Sequence, residues 1–260
     1  MADELYLERD GDVAILVLNR PEKRNAIRLD MYQRLPQLLR EVATDPDILV
    51  LVVRGGGERT FSAGADISEF RTVRADSDDA RVNNAAVAEA ENALAGLDKP
   101  TIAMVHGHCI GGGCGLALAC DFRFSDPDGR FGITPAKLGL VYSLESSKRL
   151  VDLVGPSQAK YILLSGEQLP ADRALRLGLV NEVVGADQLA VRTAEFAALL
   201  ASRAQFTVRS MKEIVRRISA GQAADDAATT ELRDASFDTD DYAEGVAAFL
   251  ERRPPKFTWR

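Results

Sequence analysis

The sequence predicts an α/β protein that ends in a helical region. All-apolar runs at residues 48–53 and 101–105 are typical of strands that are covered on both faces of a sheet. Apolar residues at helical spacing in residues 29–43 and 80–97 predict helices between these strands. Because buried strands alternate with helices, we expect repeated strand–helix units. At 260 residues and 46% hydrophobic content, the chain can bury a core of that size.

Turn and breaker signals place the other elements. An Asp-Gly turn at residues 10–12 joins strands at 5–8 and 13–19 as a hairpin. Asp30 is expected to cap the first helix, and Gly155 to end a later one. The remaining expected elements are a helix at 116–119, a strand at 122–124, and helices at 142–154, 189–202, 205–219, 225–236 and 242–251. The consecutive helices predict a helical C-terminal region after about Val184.

Composition and charge argue against several classes of partner. A net charge of −7 disfavours a nucleic-acid surface, which needs clustered Lys and Arg. No stretch approaches the roughly 20 apolar residues of a membrane span, and the first residues show no signal-peptide pattern. We therefore expect a cytoplasmic protein that binds neither nucleic acid nor membrane.

Cysteine and histidine are the usual metal ligands and nucleophiles, and neither forms a strong pattern here. Cys109, Cys114 and Cys120 match no zinc-binding spacing, so we expect buried, reduced thiols and no metal site. A nucleophilic Cys114 is disfavoured because no neighbour would lower its pKa. His106 and His108 follow a strand, and a structural role is favoured for both over catalysis.

Two turns of small residues are the strongest functional signal. Residues 61–66 read Phe-Ser-Ala-Gly-Ala-Asp, and residues 111–115 read Gly-Gly-Gly-Cys-Gly. Each is expected to follow a strand and open a helix, where backbone N–H groups lack intrahelical acceptors. Together they predict an oxyanion hole, which stabilises negative charge that develops on a carbonyl oxygen.

These turns and several further motifs are similar to the enoyl-CoA hydratase/isomerase family, the crotonase superfamily. The resemblance covers nearly the whole chain. It implies a spiral of ββα repeats over residues 1–184, and a helical region over 185–260 that assembles trimers or dimers of trimers. It also implies an acyl-CoA thioester as ligand. The matching motifs are Asn19-Arg20-Pro21, Asn25-Ala26, residues 61–67 and 107–121, Phe131-Gly132, Leu138-Gly139, Arg149-Leu150, Val154-Gly155, residues 174–180 and the tail 240–257.

The resemblance also implies functional roles for individual residues. The two oxyanion donors fall on the backbone N–H groups of Ala65 and Gly112. Coenzyme A is implied as part of the substrate, and no tightly bound cofactor is expected. The residues expected to contact it are Lys23, Arg24, Ala26, Ala63, Ala65, Asp66 and Ile67, with Arg252 and Lys256 of the tail as further candidates.

Some of these residues have ordinary structural alternatives. Helix capping is favoured over proton transfer for Asp66. Lys23 and Arg24 could bind CoA phosphates as charged donors or lie in a solvated loop, and the sequence does not choose between the two. For Arg252 and Lys256, a solvated tail is favoured over CoA binding.

The chain departs from the family where hydratases carry two catalytic glutamates. Those positions hold Gly115 and Pro135, and the carboxylate position of the isomerases holds Ser143. None of these side chains can serve as a carboxylate acid or base. We therefore expect weak or absent hydration of simple 2-enoyl-CoA substrates.

Tyr142 and Glu145 are the remaining polar candidates for catalysis. The stretch 134–142 and the tail at 241–251 resemble the methylmalonyl-CoA decarboxylase subgroup, although Ala65 and Gly115 depart from it. Decarboxylation needs an enolate-stabilising hole and only a modest proton donor, a role that Tyr142 could fill. A packing role for Tyr142 and a helix-dipole role for Glu145 stay open beside catalysis.

Three hypotheses follow. The first is an acyl-CoA lyase or isomerase that stabilises a thioester enolate, with decarboxylase-like or other non-hydratase chemistry. The second is a conventional enoyl-CoA hydratase of fatty-acid metabolism that uses other residues. The third is a non-catalytic acyl-CoA-binding or scaffold protein.

Overall fold

The structure is a computed structural model that describes residues 3–70 and 77–259. Short three-residue 3₁₀ turns lie at Pro21–Lys23, Ile67–Glu69 and Pro135–Lys137. The strands are β1 (Leu5–Asp10), β2 (Val13–Leu18), β3 (Val50–Gly55), β4 (Thr60–Ser62), β5 (Thr101–Val105), β6 (His108–Ile110), β7 (Phe122–Ser125), β8 (Arg130–Gly132), β9 (Leu169–Pro170) and β10 (Glu182–Val183). The helices are α1 (Leu29–Thr44), α2 (Ser77–Ala95), α3 (Gly112–Ala119), α4 (Leu144–Ser165), α5 (Ala171–Arg176), α6 (Leu189–Ala201), α7 (Gln205–Ser219), α8 (Ala227–Ser236) and α9 (Asp240–Glu251).

The described strands form two sheets, and most neighbours pair in parallel. The larger sheet has the order β1-β2-β3-β5-β7-β10, and the smaller one the order β4-β6-β8-β9. Only the β1–β2 hairpin and the β8–β9 pair are antiparallel among these strands. Parallel pairing needs a crossover connection, which the intervening helices supply. The predicted α/β class with consecutive C-terminal helices is therefore confirmed.

The larger sheet is covered on both faces, as its apolar strands predict. Leu51 and Val53 of β3 belong to the main core with α1, α2 and α3. Val50 and Val52 point the other way, into a second cluster that includes Leu189 of α6. Alternate residues of one strand thus supply two hydrophobic layers. Helix α6 packs on the sheet although it lies beyond residue 184, and the division at that residue stays a prediction.

One predicted helix end is confirmed and one predicted helix start is wrong. Helix α4 begins at Leu144 with Ser143 as N-cap; its first segment ends where Gly155 leaves the helical conformation, as predicted, and a second segment runs from there to Ser165. Arg28, not Asp30, occupies the N-cap of α1, and Asp30 instead forms an ion pair with Arg28. Across the described residues, no helix is long and apolar enough to cross a membrane.

Candidate active site

The two small-residue turns lie side by side at the carboxyl ends of β4 and β6 in the smaller sheet. Strands β4 and β6 pair in parallel, so the turns that follow them leave from the same end. A β-carbon on Gly64 would lie 2.8 Å from the carbonyl oxygen of Ile110, and one on Gly111 would lie 3.8 Å from the Cα of Gly64. The contact between the turns is therefore backbone against backbone: a β-carbon on Gly64 would clash, and the positive φ of 55° at Gly111 favours glycine there.

Ser62 fixes the first turn against its surroundings. Its hydroxyl donates to the carbonyl of Asn25 at 2.8 Å and accepts from the N–H of Gly64 at 3.1 Å. A β-carbon on Gly113 would lie 2.7 Å from the same Oγ atom. The side chain of Ser62 thus holds the first turn while it fills the space that Gly113 leaves open.

The N–H groups of Ala65 and Gly112 are available to a ligand. A β-carbon on Gly112 would lie 3.9 Å from the nitrogen of Ala65, so the two residues are close neighbours. Neither N–H donates to an acceptor within residues 3–70 and 77–259. Gly112 is the first residue of α3, where an N–H has no intrahelical acceptor. The arrangement can stabilise a developing oxyanion if both groups point at the same oxygen.

The first turn does not lead directly into an α-helix. It leads instead into the 3₁₀ turn Ile67–Glu69, because Asp66 accepts from the N–H and hydroxyl of Ser68. Residues 71–76, which follow, lie outside the described residues. The turn thus opens a helical segment that Asp66 caps, as predicted, and this segment begins as a 3₁₀ turn before Phe70 takes α-helical conformation.

Asp66 is held as a capping and bridging carboxylate. It is buried, and Arg20 Nη1 donates to its Oδ2 at 2.9 Å. Hydrogen bonds from Ser68, followed by Arg20, hold the pKa of Asp66 below its ordinary value. A carboxylate that stays ionised and keeps these donors is a poor proton shuttle, so the geometry agrees with the capping role.

The loop predicted to bind CoA lies against the first turn. The carbonyl of Arg24 accepts from the N–H of Ala63 at 2.9 Å, and Ile27 N–H donates to the Gly64 carbonyl at 2.8 Å. Arg24 takes a positive φ of 52°, which reverses the chain after Lys23. The loop is thereby joined to the turn that carries Ala65.

The side chains predicted to contact CoA have different exposures. Lys23, Arg24, Ala63 and Ile67 are exposed, Ala65 is half-buried, and Ala26 and Asp66 are buried. The basic groups of Lys23 and Arg24 form no ion pair with a described residue. The structure thus leaves both basic groups accessible, and their role in phosphate binding stays a prediction.

The tail candidates belong to a separate contact. Arg252 takes a left-handed conformation at the end of α9, and the Lys256 N–H donates to Glu244 at 2.7 Å. Arg253 also donates to Glu244, and these bonds lower the pKa of Glu244 to about 2. They hold the tail against α9, and CoA binding by Arg252 and Lys256 stays a prediction.

Tyr142 lies at the second turn and Glu145 lies against α2. The Tyr142 hydroxyl would be 3.6 Å from a β-carbon on Gly111, and its ring is half-buried against the main core. Glu145 is exposed and accepts from Asn92 Nδ2 at 2.9 Å. The structure thus places Tyr142 beside the candidate hole and gives Glu145 a partner on another helix.

Glu91 is a buried carboxylate that the sequence analysis did not single out. It lies on α2, and its carboxyl carbon would be 3.0 Å from a β-carbon on Gly115, with Oε1 closer still. Ser146 Oγ donates to Oε2 at 2.6 Å, and Arg149 Nη1 does so at 3.0 Å. Burial raises the pKa of Glu91, although these two donors oppose the shift. The Glu91 carboxylate of α2 therefore occupies the space that a side chain at residue 115 would fill.

A sequence signal for Glu91 exists but is weak. The apolar side of α2 includes Ala86, Ala90 and Leu94, and Glu91 adjoins that side at helical spacing. A charged residue at the border of a buried helix face is also common on ordinary helices. Only the contact with Gly115, 24 positions away in the sequence, identifies its place.

The remaining titratable candidates are His106, which lies apart from the two turns, and the cysteines, of which Cys114 belongs to the second turn. His106 is buried with Nδ1 3.1 Å from Asp126 Oδ2, and it lines a separate cavity of about 720 Å³ beside α6. The predicted structural role of His106 thus has a visible partner. All three cysteines are buried and free, and burial raises the pKa of Cys120 to about 12. Pro135 begins a 3₁₀ turn and brings no titratable group.

Comparisons with known proteins agree on one family. A family model described as enoyl-CoA hydratase/isomerase matches residues 8–260. Crotonyl-CoA hydratase from Syntrophomonas wolfei is 34% identical over 98% of each chain. Short-chain-enoyl-CoA hydratase from Clostridium acetobutylicum is 33% identical over 96% of each. The crystal structure of an enoyl-CoA hydratase/isomerase family protein from Hyphomonas neptunium superposes with a TM-score of 0.97 at 37% identity, and it covers 100% of this chain and 99% of that one.

Proposed function

Because the chain belongs to the enoyl-CoA hydratase/isomerase family, we propose that it hydrates a short-chain 2-enoyl-CoA through a thioester enolate held by Ala65 and Gly112. The observation that carries this proposal is the pair of neighbouring N–H groups without a described acceptor. Such donors act where charge develops on the thioester oxygen, and they contribute several kcal/mol when they are preorganised.

Coenzyme A is proposed as the part of the substrate that the loop with Lys23 and Arg24 binds. Lys23 and Arg24 are exposed cations on a loop that is bonded to the first turn. Phosphate groups pair well with such donors. The loop therefore supplies charge for the nucleotide end while the turn supplies N–H groups for the thioester end.

Hydration is favoured over decarboxylation for two reasons. The relatives named above are hydratases of crotonyl-CoA and short-chain enoyl-CoA. The structure also places the Glu91 carboxylate at Gly115, whereas the decarboxylase hypothesis rests on missing carboxylates. Decarboxylation stays the second candidate because the Tyr142 hydroxyl lies beside Gly111.

A panel of acyl-CoA thioesters tests the proposal. We expect the purified chain to convert crotonyl-CoA to a 3-hydroxyacyl-CoA, with Tyr142→Phe retaining most of that activity. Release of CO₂ from methylmalonyl-CoA, lost in Tyr142→Phe, would instead support decarboxylation. Tight binding of every thioester with no turnover would contradict both and favour the non-catalytic alternative.

A further inference from the structure

The start of α3 presents one glycine-lined face to three polar groups. The Tyr142 hydroxyl lies at Gly111, the Ala65 nitrogen at Gly112, and the Glu91 carboxylate at Gly115. Positions three or four apart on a helix share a face, with β-carbons about 5–6 Å apart. Glu91 therefore lies about one helical turn from the candidate oxyanion donor, on the same side of α3.

Glycine at 115 is the condition for this placement. Any β-carbon there would overlap Oε1 of Glu91, and Glu91 is only 1% exposed, so its side chain has little room to move aside. A side chain on residue 115 and the Glu91 carboxylate thus exclude each other. The glycine at 115 and the buried carboxylate of Glu91 are therefore two parts of one arrangement.

The carboxylate is held through one oxygen. Oε2 accepts from Ser146 and Arg149, and Ser143 Oγ in turn donates to Ser146 Oγ at 2.9 Å. Oε1, the oxygen nearest to Gly115, has no hydrogen-bond donor within the described part of the chain. Oε2 is therefore held by residues of α4, whereas Oε1 faces α3 and accepts no hydrogen bond from a described residue.

The surroundings favour proton uptake by this group. Burial raises the pKa of Glu91, and the nearby Glu145 acts in the same direction. Arg149 and Ser146 oppose the shift from α4, and α3 contains no charged residue. A carboxylate that is more basic than an ordinary glutamate is better suited to accept a proton near neutral pH.

We propose that Glu91, delivered from α2, is the catalytic acid–base group of the hydration, an inference that rests on the function proposed above. Water attacks the β-carbon while Oε1 takes one of its protons, and the C=C electron pair moves onto the thioester oxygen as an enolate. The enolate then collapses, and the α-carbon takes that proton back from Glu91. One water is added, one C–O and one C–H bond form, and Glu91 returns to its starting state.

Glu91→Gln tests the assignment directly. It keeps the side-chain size and an oxygen for Ser146 and Arg149, but it removes the base. We expect kcat for crotonyl-CoA to fall by about 10²- to 10⁴-fold with KM little changed. Glu89→Gln is the matched control, since Glu89 is an exposed residue of the same helix, and it should retain full activity. Folded Glu91→Gln with the activity of that control would overturn the assignment.

A relocated carboxylate separates catalysis from folding. Gly115→Glu alone should be inactive because the new side chain overlaps Glu91. The double variant Gly115→Glu, Glu91→Ala removes the overlap and supplies a carboxylate from residue 115 of α3 instead of from α2. We expect its kcat to be at least tenfold higher than that of Glu91→Ala alone. A folded double variant with no gain would count against the proposal.

The pH profile of the unaltered chain needs no variant. Because the base form of Glu91 is required and its pKa is raised, kcat should fall on acidification at a pH above the usual glutamate value of about 4.3. A flat profile through that range in folded protein would overturn the assignment. If the unaltered chain turns over no 2-enoyl-CoA, the proposed hydration is contradicted as well. If both the unaltered chain and the Glu91→Gln variant are active, only the role proposed for Glu91 is contradicted.

Discussion

Gly112 shows how one missing side chain can shape a site. A β-carbon there would overlap the hydroxyl of Tyr32, which is only 1% exposed on α1. The same β-carbon would lie 3.9 Å from the Ala65 nitrogen. Any side chain at 112 would therefore push α3 away from α1 or from the first turn, and it would change the spacing of the two N–H groups.

Gly112→Ala should consequently damage catalysis more than binding. We expect kcat for the 2-enoyl-CoA substrate to fall by about 10²- to 10³-fold, the usual cost of losing one oxyanion donor. Steady-state kinetics would measure the loss. Adding Tyr32→Phe removes the overlapping hydroxyl and should recover part of the rate, whereas full activity in Gly112→Ala would argue against this spacing requirement.

Sequence reasoning reaches these residues unevenly. Ala65 and Gly112 are predicted as donors because short motifs of small residues carry the resemblance, and the structure brings the two residues close together. Glu91 is missed because its chemistry depends on a contact with Gly115, and no local pattern encodes contacts across 24 positions. Glu145 has ordinary helix-terminus chemistry in the sequence, and in the structure its partner is Asn92.

The kink in α4 divides this element into two helical segments. Gly155 has φ +74° and ψ 164°, a conformation that residues with a β-carbon rarely adopt, and Pro156 follows it. The sequence predicts a helix end at this pair, and the first segment does end here. A second segment follows directly, and Leu150 before the kink and Ile162 after it are both buried in the main core.

Gly155→Ala should destabilise the protein although, beyond the neighbouring backbone, no atom of the described residues lies within 4 Å of its β-carbon position. The cost is backbone strain of about 1–3 kcal/mol in the free energy of unfolding. Urea denaturation would measure it. Gly245→Ala is the control, since it lies inside α9 and meets only ring carbons of Phe257 at 3.6 Å. That variant should be neutral or stabilised by up to about 1 kcal/mol, and equal stability of both would contradict the strain argument.

Elements differ in how far their sequences specify them. β3 and β5 are predicted from the sequence because strands that are covered on both faces of a sheet consist of continuous apolar residues. Strands of the smaller sheet have only two or three residues, such as β9 and β4, so no periodicity can develop in them. Their pairing depends on the crossovers that bring them together.

At the scale of the whole molecule, the larger sheet separates two hydrophobic layers and leaves further apolar surface outside. Met211, Val215 and Ile218 form a stripe along α7 and are 53%, 58% and 62% exposed. Phe249 and Leu250 of α9 are exposed as well. The helical periodicity of α7 predicts the stripe, and an exposed apolar patch of this kind is typical of an interaction surface.

We expect the exposed stripe to be buried by self-association into trimers or dimers of trimers. Light scattering coupled to size-exclusion chromatography would give the mass in solution. Val215→Glu places a charge in the stripe and should shift the protein toward the monomer without unfolding it. A monomeric parent chain at micromolar concentration would refute this expectation.

The central claim is that the site adds water to a 2-enoyl thioester and stabilises the enolate that this addition forms. The most direct measurement is NMR of crotonyl-CoA incubated with the intact chain in D₂O. The proposed mechanism predicts a 3-hydroxybutyryl-CoA product that carries deuterium at the α-carbon, since the proton delivered there comes from solvent water through Glu91. Crotonyl-CoA that binds and remains unchanged would contradict it.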